Sequence, residues 1–525
     1  MQKVLSAFTE VEASSLKPVK FGTSGHRGSS LNASFNAPHL LAITQAVVAY
    51  RRKAGISGPL FLGKDTHALS QPAWELVLRQ LVALKVDVRL QTDLGFTATP
   101  LVSHAILQHN HNQSSRLPQA DGLILTPSHN PPEDGGIKYN PPHGGAAEGE
   151  VTTWIEQEAN RLLQAGELEE PAVSLEEALL HSGRYDFVGE YVRQLDEVVD
   201  THAIRKANLK LGADPLGGAA LPIWQAIAGT LELPVEVMNP VLATDFAFMP
   251  PDHDGKIRMD CSSSAVMSKL LAVKDDYDLA FGNDPDADRH GVVDAQGLLN
   301  PNHYLAVCAD YLLRNRGGWP KAIQIGKTLV SSSLIDRVVE AAGHSVYEVP
   351  VGFKWFVEGL SEGWLGFAGE ESAGASLLTF NGKPWSTDKD GIALCLLAAE
   401  ILAVTGKTPH EYYADLTQEL GAPIYKRVDV ACSEALQARL LNLQPEEVEL
   451  KVLGGEPVQN IMTQAPGNGA SIGGVKWVTA QGWCALRPSG TETLYKIYAE
   501  SFAGEAFLEA MIKDVQARLE LVGAR

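Results

Sequence analysis

A serine, three alternating aspartates and a pair of glutamates are the groups in this chain whose types and spacing point to chemistry. Ser128 lies in L-I-L-T-P-S-H-N-P-P, residues 123–132. The apolar run is predicted to be a strand ended by Pro127, because proline has no N–H for a central ladder. Ser128 then sits on a loop just past a strand's carboxyl end, where open α/β sheets place ligands. Pro131, Pro132, Gly135 and Gly136 follow, and a loop rich in proline and glycine holds one shape that suits a presented hydroxyl. The plain alternative is an ordinary turn with a satisfied serine. The G-x-S-x-G elbow of serine hydrolases is absent, since Pro127 and His129 flank the serine. A serine that carries a phosphoryl group needs cations for the phosphate, and a metal.

Residues 277–290, Y-D-L-A-F-G-N-D-P-D-A-D-R-H, offer that metal site. In extended backbone, residues i, i+2 and i+4 point the same way, so Asp284, Asp286 and Asp288 are expected on one side of an extended segment. Three such carboxylates repel without a cation. An all-oxygen set suits Mg²⁺, which usually keeps open positions for a phosphate oxygen. An EF-hand needs glycine at loop position 6 and glutamate at 12; Arg289 and Ala295 stand there, which excludes it. Two alternatives stay open on these residues alone: an aspartyl-phosphate enzyme with Asp284 as nucleophile, and a solvated acidic loop. Arg289 is either an ion-pair partner or a phosphate clamp.

Three weaker stretches accompany these. G-F-A-G-E-E-S-A-G-A-S, residues 366–376, frames two acids and a serine with glycines, a set able to grip sugar hydroxyls. R-P-S-G-T, residues 487–491, followed by Lys496, can cradle a phosphate or can be a charged hairpin turn. K-F-G-T-S-G-H-R-G-S-S, residues 20–30, clusters Ser24, His26 and Arg27, and an arginine fork there can meet a phosphate. Gly326-Lys327-Thr328 resembles the end of a P-loop, but that motif needs glycine at position 321, which is lysine.

The elements that must position these loops alternate. Strands are predicted near 60–62, 123–126, 209–213, 278–281 and 322–325, with helices near 42–52, 72–84, 329–342 and 390–404. That alternation favours an α/β fold. The last region changes character, with strands at 425–430 and 494–499. A helix at 505–521 carries Phe507, Met511, Ile512, Val515 and Leu519 at helical spacing, which reads as a smaller α+β domain. The chain of 525 residues is long enough for three to four domains at about 150 residues each. Breaker clusters place cuts near 200, 317 and 424, giving 1–200, 201–317, 318–424 and 425–525.

Composition narrows the partners. Lys plus Arg is 43 and Asp plus Glu is 63, a net charge of −20, which argues against nucleic acid and anionic membrane. Five widely spaced cysteines without a C-x-x-C indicate neither a disulfide framework nor a zinc site of the cysteine type. The apolar window 392–404 is interrupted by Glu400 and is shorter than the roughly 18 residues of a membrane span; it reads as a buried core helix. MQKVLSAFTE at the start is too short and polar for a signal peptide. A cytoplasmic protein is expected.

Taken together, F-G-T-S-G-H-R-G, T-P-S-H-N-P-P, D-P-D-A-D-R-H-G, G-E-E-S-A-G and S-G-T resemble, in order and spacing, the α-D-phosphohexomutase superfamily. The match runs from residue 20 to residue 496. The resemblance implies a heart-shaped, four-domain architecture of three related α/β domains plus a smaller C-terminal phosphate-binding domain. It implies Ser128 as the phosphoserine, and Mg²⁺ held by Asp284, Asp286, Asp288 and an oxygen of the Ser128 phosphate. It further implies Glu370 and Ser372 on sugar hydroxyls, and the substrate phosphate on Arg487, Ser489, Gly490, Thr491 and Lys496. Arg27, Arg289 and Lys389 match other cationic contacts, with Ser24 beside them; Lys354 lies on a loop used near the sugar. His129 joins the catalytic set, and Lys138 matches a residue proposed as general base. G-E-E-S-A-G looks like the glucose-directed branch. The implied reaction interconverts glucose 1-phosphate and glucose 6-phosphate through a glucose 1,6-bisphosphate intermediate. The alternatives are mannose or glucosamine phosphates as substrates, or a non-catalytic binder of sugar phosphates. Small hexose phosphates are the expected partners, without nucleic acid or membrane, for a monomer or homodimer.

Overall fold

Four large sheets, a two-stranded ribbon of Val452–Leu453 and Glu456–Pro457, and the helices packed on them form the chain in a computed structural model that describes residues 1–22, 25–111, 118–440, 448–488 and 494–523. The first sheet runs, in spatial order, Phe21–Gly22, Gly25–Ser29, Asp134–Asn140, Asp121–Leu125, Leu60–Lys64, Val88–Gln91 and Gly183–Tyr185. Its last four strands are parallel and its first three antiparallel. The second sheet is ordered Gly297–Leu298, Gly291–Asp294, Leu279–Gly282, Leu211–Asp214 and Val235–Val237. The third is Ser345–Val349, Gln324–Thr328, Leu365–Glu370 and Gly374–Leu377. Each repeats the same plan: parallel strands with an antiparallel extension on one side. The central parallel strands are buried along their length, as in Asp121–Leu125 and Leu365–Glu370, because helices cover both faces of such sheets.

The fourth sheet is wholly antiparallel: Ile424–Ala431, Leu494–Ser501, Gly482–Pro488, Ser471–Val478 and Asn460–Gln464. The helix Glu505–Gly523 covers one face with Leu508, Met511, Ile512, Val515 and Leu519, while Phe507 is only partly buried.

The apolar window becomes the helix Gly391–Thr405, capped by the Asp390 side chain, which accepts from Ala393 N at 2.9 Å. Glu400 survives in this core helix because Arg316 meets it as a fork at 2.7 and 3.0 Å. No single helix among the described residues is long and apolar enough to cross a membrane. The helix predicted at 329–342 begins only at Leu334. Leu329 and Val330 are instead buried beside Trp483 and Tyr498 of the last sheet, so their apolarity serves a domain junction and not a helix face.

Candidate active site

In each of the first three sheets one parallel strand turns into an antiparallel neighbour, and that connection carries the predicted chemistry. Asp121–Leu125 passes through 126–133 into Asp134–Asn140, Leu279–Gly282 through 283–290 into Gly291–Asp294, and Leu365–Glu370 through 371–373 into Gly374–Leu377. Each connection holds a non-glycine residue at positive φ: Ser128 at 61°, Ala287 at 53° and Ala373 at 67°. A left-handed L residue costs roughly 1–2 kcal/mol, so each loop is held by its surroundings. The loops also hold one another. Ser128 Oγ donates to Asp284 Oδ2 at 2.9 Å, Arg289 bridges Gly374, and His290 N donates to Ala373 O at 3.1 Å.

Asp284, Asp286 and Asp288 are fully buried, and one oxygen from each lies within 4.8 Å of the others. The expected extended segment is not what brings them together. They sit on a tight turn in which Ala287 N donates to Asp284 O at 2.8 Å and Ala287 is left-handed. Extended backbone spaces residues i and i+2 by about 6.6 Å, too far for a single ion, whereas the turn lets the carboxylates converge.

Cations ring the triad. Lys138 Nζ lies 2.5 Å from Asp286 Oδ2 and 2.9 Å from Asp288 Oδ2, Lys389 Nζ lies 3.1 Å from Asp288 Oδ2, and Arg289 Nε lies 4.0 Å from Asp288 Oδ1. Burial, then Asp286 and Asp288, push the Asp284 carboxyl well above its ordinary range. Burial acts in the same direction on Asp288, but Lys138, Lys389 and Arg289 outweigh it and hold that carboxyl low. Burial works against the Lys138 charge, yet Asp286 and Asp288 prevail and raise its pKa, so Lys138 stands here as a protonated counter-ion. Among the described residues Asp286 Oδ1 and Asp288 Oδ1 accept no hydrogen bond although buried. Unpartnered carboxylate oxygens in a converging all-oxygen set fit a hard divalent cation.

Around Ser128 the remaining contacts are polar and few. Its N–H donates to Thr126 Oγ1 at 2.8 Å, and its Oγ lies 3.3 Å from His129 Nδ1. Burial, followed by the Arg289 charge, pushes His129 down to about 3, which leaves the ring neutral. Arg27, on the strand Gly25–Ser29, reaches Asn130 Oδ1 at 3.5 Å. At the end of the strand Leu365–Glu370, Glu370 Oε1 accepts from Gly352 N at 3.0 Å, and burial lifts its carboxyl to about 7 although Lys389 opposes the shift. Ser372 is half-buried beside Ala373. Lys354, in the turn Phe353–Phe356, lies 5.0 Å from the centre of the Trp355 ring. Arg487 faces Lys496 across two antiparallel strands. Ser24, Ser489, Gly490 and Thr491 lie outside the described residues.

Two supporting residues carried no motif. Thr99 donates to Asp286 Oδ2 from its hydroxyl at 2.6 Å, and to Asp286 O from its N–H at 2.9 Å, joining the first sheet's helix to the carboxylate loop 283–290. Asp260 Oδ2 lies 3.8 Å from Arg289 Nη1. Thr99 follows the strand Val88–Gln91 by a short loop, so its carboxyl-end position was the available signal; Asp260 lies far from its partner in sequence and offered none.

Residues 18–165, 189–297 and 300–420 match the family models for Phosphoglucomutase/phosphomannomutase, alpha/beta/alpha domains I, II and III respectively. A phosphoglucomutase from Komagataeibacter xylinus is 51% identical over 510 residues, 97% of this chain and 92% of that one. The chain belongs to the phosphoglucomutase/phosphomannomutase family. This family member also superposes on solved structures. Parafusin (pp63) from Paramecium, described as a phosphoglucomutase, gives a TM-score of 0.76 at 22% identity, covering 96% of this chain and 95% of that one. N-acetylphosphoglucosamine mutase from Aspergillus fumigatus, solved with GlcNAc-6P and magnesium, gives 0.54 at 16% identity over 99% of both chains. At these identities the two structures speak for the fold. The phosphohexomutase architecture of three related α/β domains and a β-rich fourth is thereby borne out, and the chain is an enzyme of that family.

Proposed function

We propose that this enzyme interconverts α-D-glucose 1-phosphate and glucose 6-phosphate through a phosphoserine at position 128. The observation that carries the reading is the 2.9 Å contact between Ser128 Oγ and Asp284, beside a buried carboxylate triad in which Asp286 Oδ1 and Asp288 Oδ1 accept no hydrogen bond. The 51% identity to the Komagataeibacter enzyme favours glucose over mannose or glucosamine phosphates. Mg²⁺ held by Asp284, Asp286 and Asp288 would supply charge neutralisation at the transferring phosphoryl group.

The protein groups do the rest by position and charge. Glucose 1-phosphate binds with its phosphate against Arg487 and Lys496 and its O6 toward the phosphorylated Ser128. The bond from phosphorus to Ser128 Oγ breaks, the bond to O6 forms, and the O6 proton leaves to a nearby base. The resulting glucose 1,6-bisphosphate turns over in the cleft. The proton taken from O6 neutralises the departing Ser128 Oγ. In the second transfer Ser128 Oγ gives up that proton and bonds to phosphorus, the bond from phosphorus to O1 breaks, O1 takes the proton, and glucose 6-phosphate departs. Arg289, Lys389 and Arg27 balance the charge of the phosphoserine, which is about −1.5 to −2. Glu370 and Ser372 take sugar hydroxyls in both orientations, with Lys354 near the sugar. His129 is neutral beside Ser128 and can take or return a proton only weakly. Lys138, if it is the base, has to act after losing the proton that Asp286 and Asp288 now stabilise. Ser24, Ser489, Gly490 and Thr491 complete the proposed phosphate contacts, the domain cuts near 200, 317 and 424 remain our division, and we place the enzyme in the cytoplasm as a monomer or homodimer.

Ser128→Ala tests the reading. Intact-mass measurement of the wild type is expected to show a fraction heavier by one phosphate, which the variant should lack, and mutase turnover should be lost while the melting temperature is kept. Substantial turnover in the variant removes Ser128 from its role. Parallel assays with glucose, mannose and glucosamine 1-phosphates decide the sugar.

A further inference from the structure

We infer that His67 is a positioning residue for Ser128: a buried imidazole, donating from both ring nitrogens, that closes the phosphoserine loop into a ring. The inference rests on the phosphoserine reading above and names a residue that reading leaves unused. The strands Leu60–Lys64 and Asp121–Leu125 are parallel neighbours, so their carboxyl ends lie side by side. Asp65, Thr66 and His67 leave the first as Thr126 to Asn130 leave the second.

The side chains of the two segments form a closed circuit. His67 Nε2 lies 3.0 Å from the Asn130 carbonyl oxygen, and His67 Nδ1 lies 2.8 Å from Asp65 Oδ2. The same Oδ2 accepts from Thr126 Oγ1 at 2.6 Å, and Thr126 Oγ1 accepts from Ser128 N at 2.8 Å. Asp65 Oδ1 accepts from His67 N at 3.0 Å and from Ser70 Oγ at 2.5 Å. One imidazole thus grips Asn130, two residues after Ser128, directly, and reaches Thr126, two residues before it, through Asp65. Ser128 sits between these two anchors at φ 61°, a conformation a serine keeps only when its neighbours are fixed.

The geometry also sets the protonation. A backbone carbonyl only accepts, so Nε2 carries hydrogen. Asp65 receives two hydroxyl donors and one N–H as a carboxylate, so Nδ1 donates as well. Both side chains are essentially without solvent exposure. Burial opposes each charge, but the pair outweighs it, Asp65 being held low and His67 high. The other groups facing His67 are Asp286 and Asp134, both acidic, and the Phe246 ring at 4.9 Å from the second domain. A core histidine that merely fills space has no need of one acceptor on the serine loop and a second that is itself bonded to that loop on the other side of Ser128.

The test has two arms. In ¹⁵N-histidine-labelled wild-type enzyme, with the His67 signals assigned by difference against His67→Gln, both ring nitrogens are expected to carry protons at pH 7 to 8. A neutral tautomer there overturns the inference, and this arm does not depend on catalysis. In steady-state assays with glucose 1-phosphate, H67Q is expected to lose about 100-fold in kcat, the scale of a small misplacement of a reacting group. KM should stay within about twofold, because His67 touches no proposed substrate contact. Wild-type kcat in H67Q, or a loss confined to KM, also overturns it. Should H67Q not fold, the wild-type spectrum decides, with assignment by H67N. If wild-type enzyme shows no mutase turnover and no phosphoserine, the reaction reading fails, while the imidazolium result still reports on the clasp by itself.

Discussion

Gly374→Ala isolates one packing contact at the centre of the proposed phosphate site. A Cβ on Gly374 would fall 2.2 Å from Lys389 Cδ and 3.1 Å from its Cγ. Gly374 is not in the left-handed region, so space and not backbone strain decides the outcome. Ordinary contact starts near 3.4 Å, so the lysine stem has to move by about 1.2 Å or more. Its Nζ lies 3.1 Å from Asp288 Oδ2, and a displacement of that size carries it out of hydrogen-bond range. A hydrogen bond to a charged group contributes about 1.5–3 kcal/mol, which corresponds to roughly 10- to 100-fold in kcat/KM at about 1.36 kcal/mol per tenfold. The assay is conversion of glucose 1-phosphate coupled to reduction of a nicotinamide cofactor by glucose 6-phosphate dehydrogenase, run on wild type, G374A, K389M and the double variant. Alanine acts through the lysine, so the double variant should be no worse than K389M. Additive losses, or wild-type kcat/KM in G374A, would refute the reasoning.

Other expectations follow from single contacts. Asp286→Asn keeps the shape and the Thr99 hydrogen bond but removes a charge; calorimetric titration should show Mg²⁺ binding weakened by more than about 100-fold, beyond the 10- to 100-fold typical of outer partners, and unchanged affinity would remove the triad as the metal site. Glu370 has its carboxyl raised from 4.5 to about 7, burial being the main cause. Between those values the folded state holds a proton the unfolded state has released, so stability contributed here is present at low pH and falls as pH rises toward 7, by an amount on the order of 3 kcal/mol. Denaturant titrations of the ligand-free enzyme at pH 5 and pH 7 should show Glu370→Gln with a smaller difference than wild type; an equal difference would reject that assignment. Glu400→Ala leaves Arg316 as an unpaired buried cation and should destabilise by about 3–5 kcal/mol, read as an earlier first thermal transition with the metal site intact.

Much of the scaffold was legible because buried parallel strands announce themselves as short apolar runs. Residues 60–62, 123–126 and 278–281 each lie in or beside the strand that presents a functional loop. Proline and glycine punctuation placed Ser128 correctly past a carboxyl end. The loop 283–290 was legible in composition but not in shape, since periodicity assumes regular backbone and Ala287 abandons it. Leu329 and Val330 were misread as helix for a related reason: apolarity marks burial without saying against what.

What the sequence alone determined was the inventory: a hydroxyl, three carboxylates, a pair of glutamates and the cations to balance them, each on a loop at a strand end, within an α/β chain. What only the tertiary structure decided was that three loops about 80 to 240 residues apart meet, that Lys138 and Lys389 close on Asp288, and that His67 clasps the serine loop on both sides of Ser128, at Asn130 directly and at Thr126 through Asp65. The physical reason is range. Strand and turn preferences are written in a few neighbouring side chains, whereas these contacts depend on how the equivalent edges of three sheets pack together, which no local pattern records.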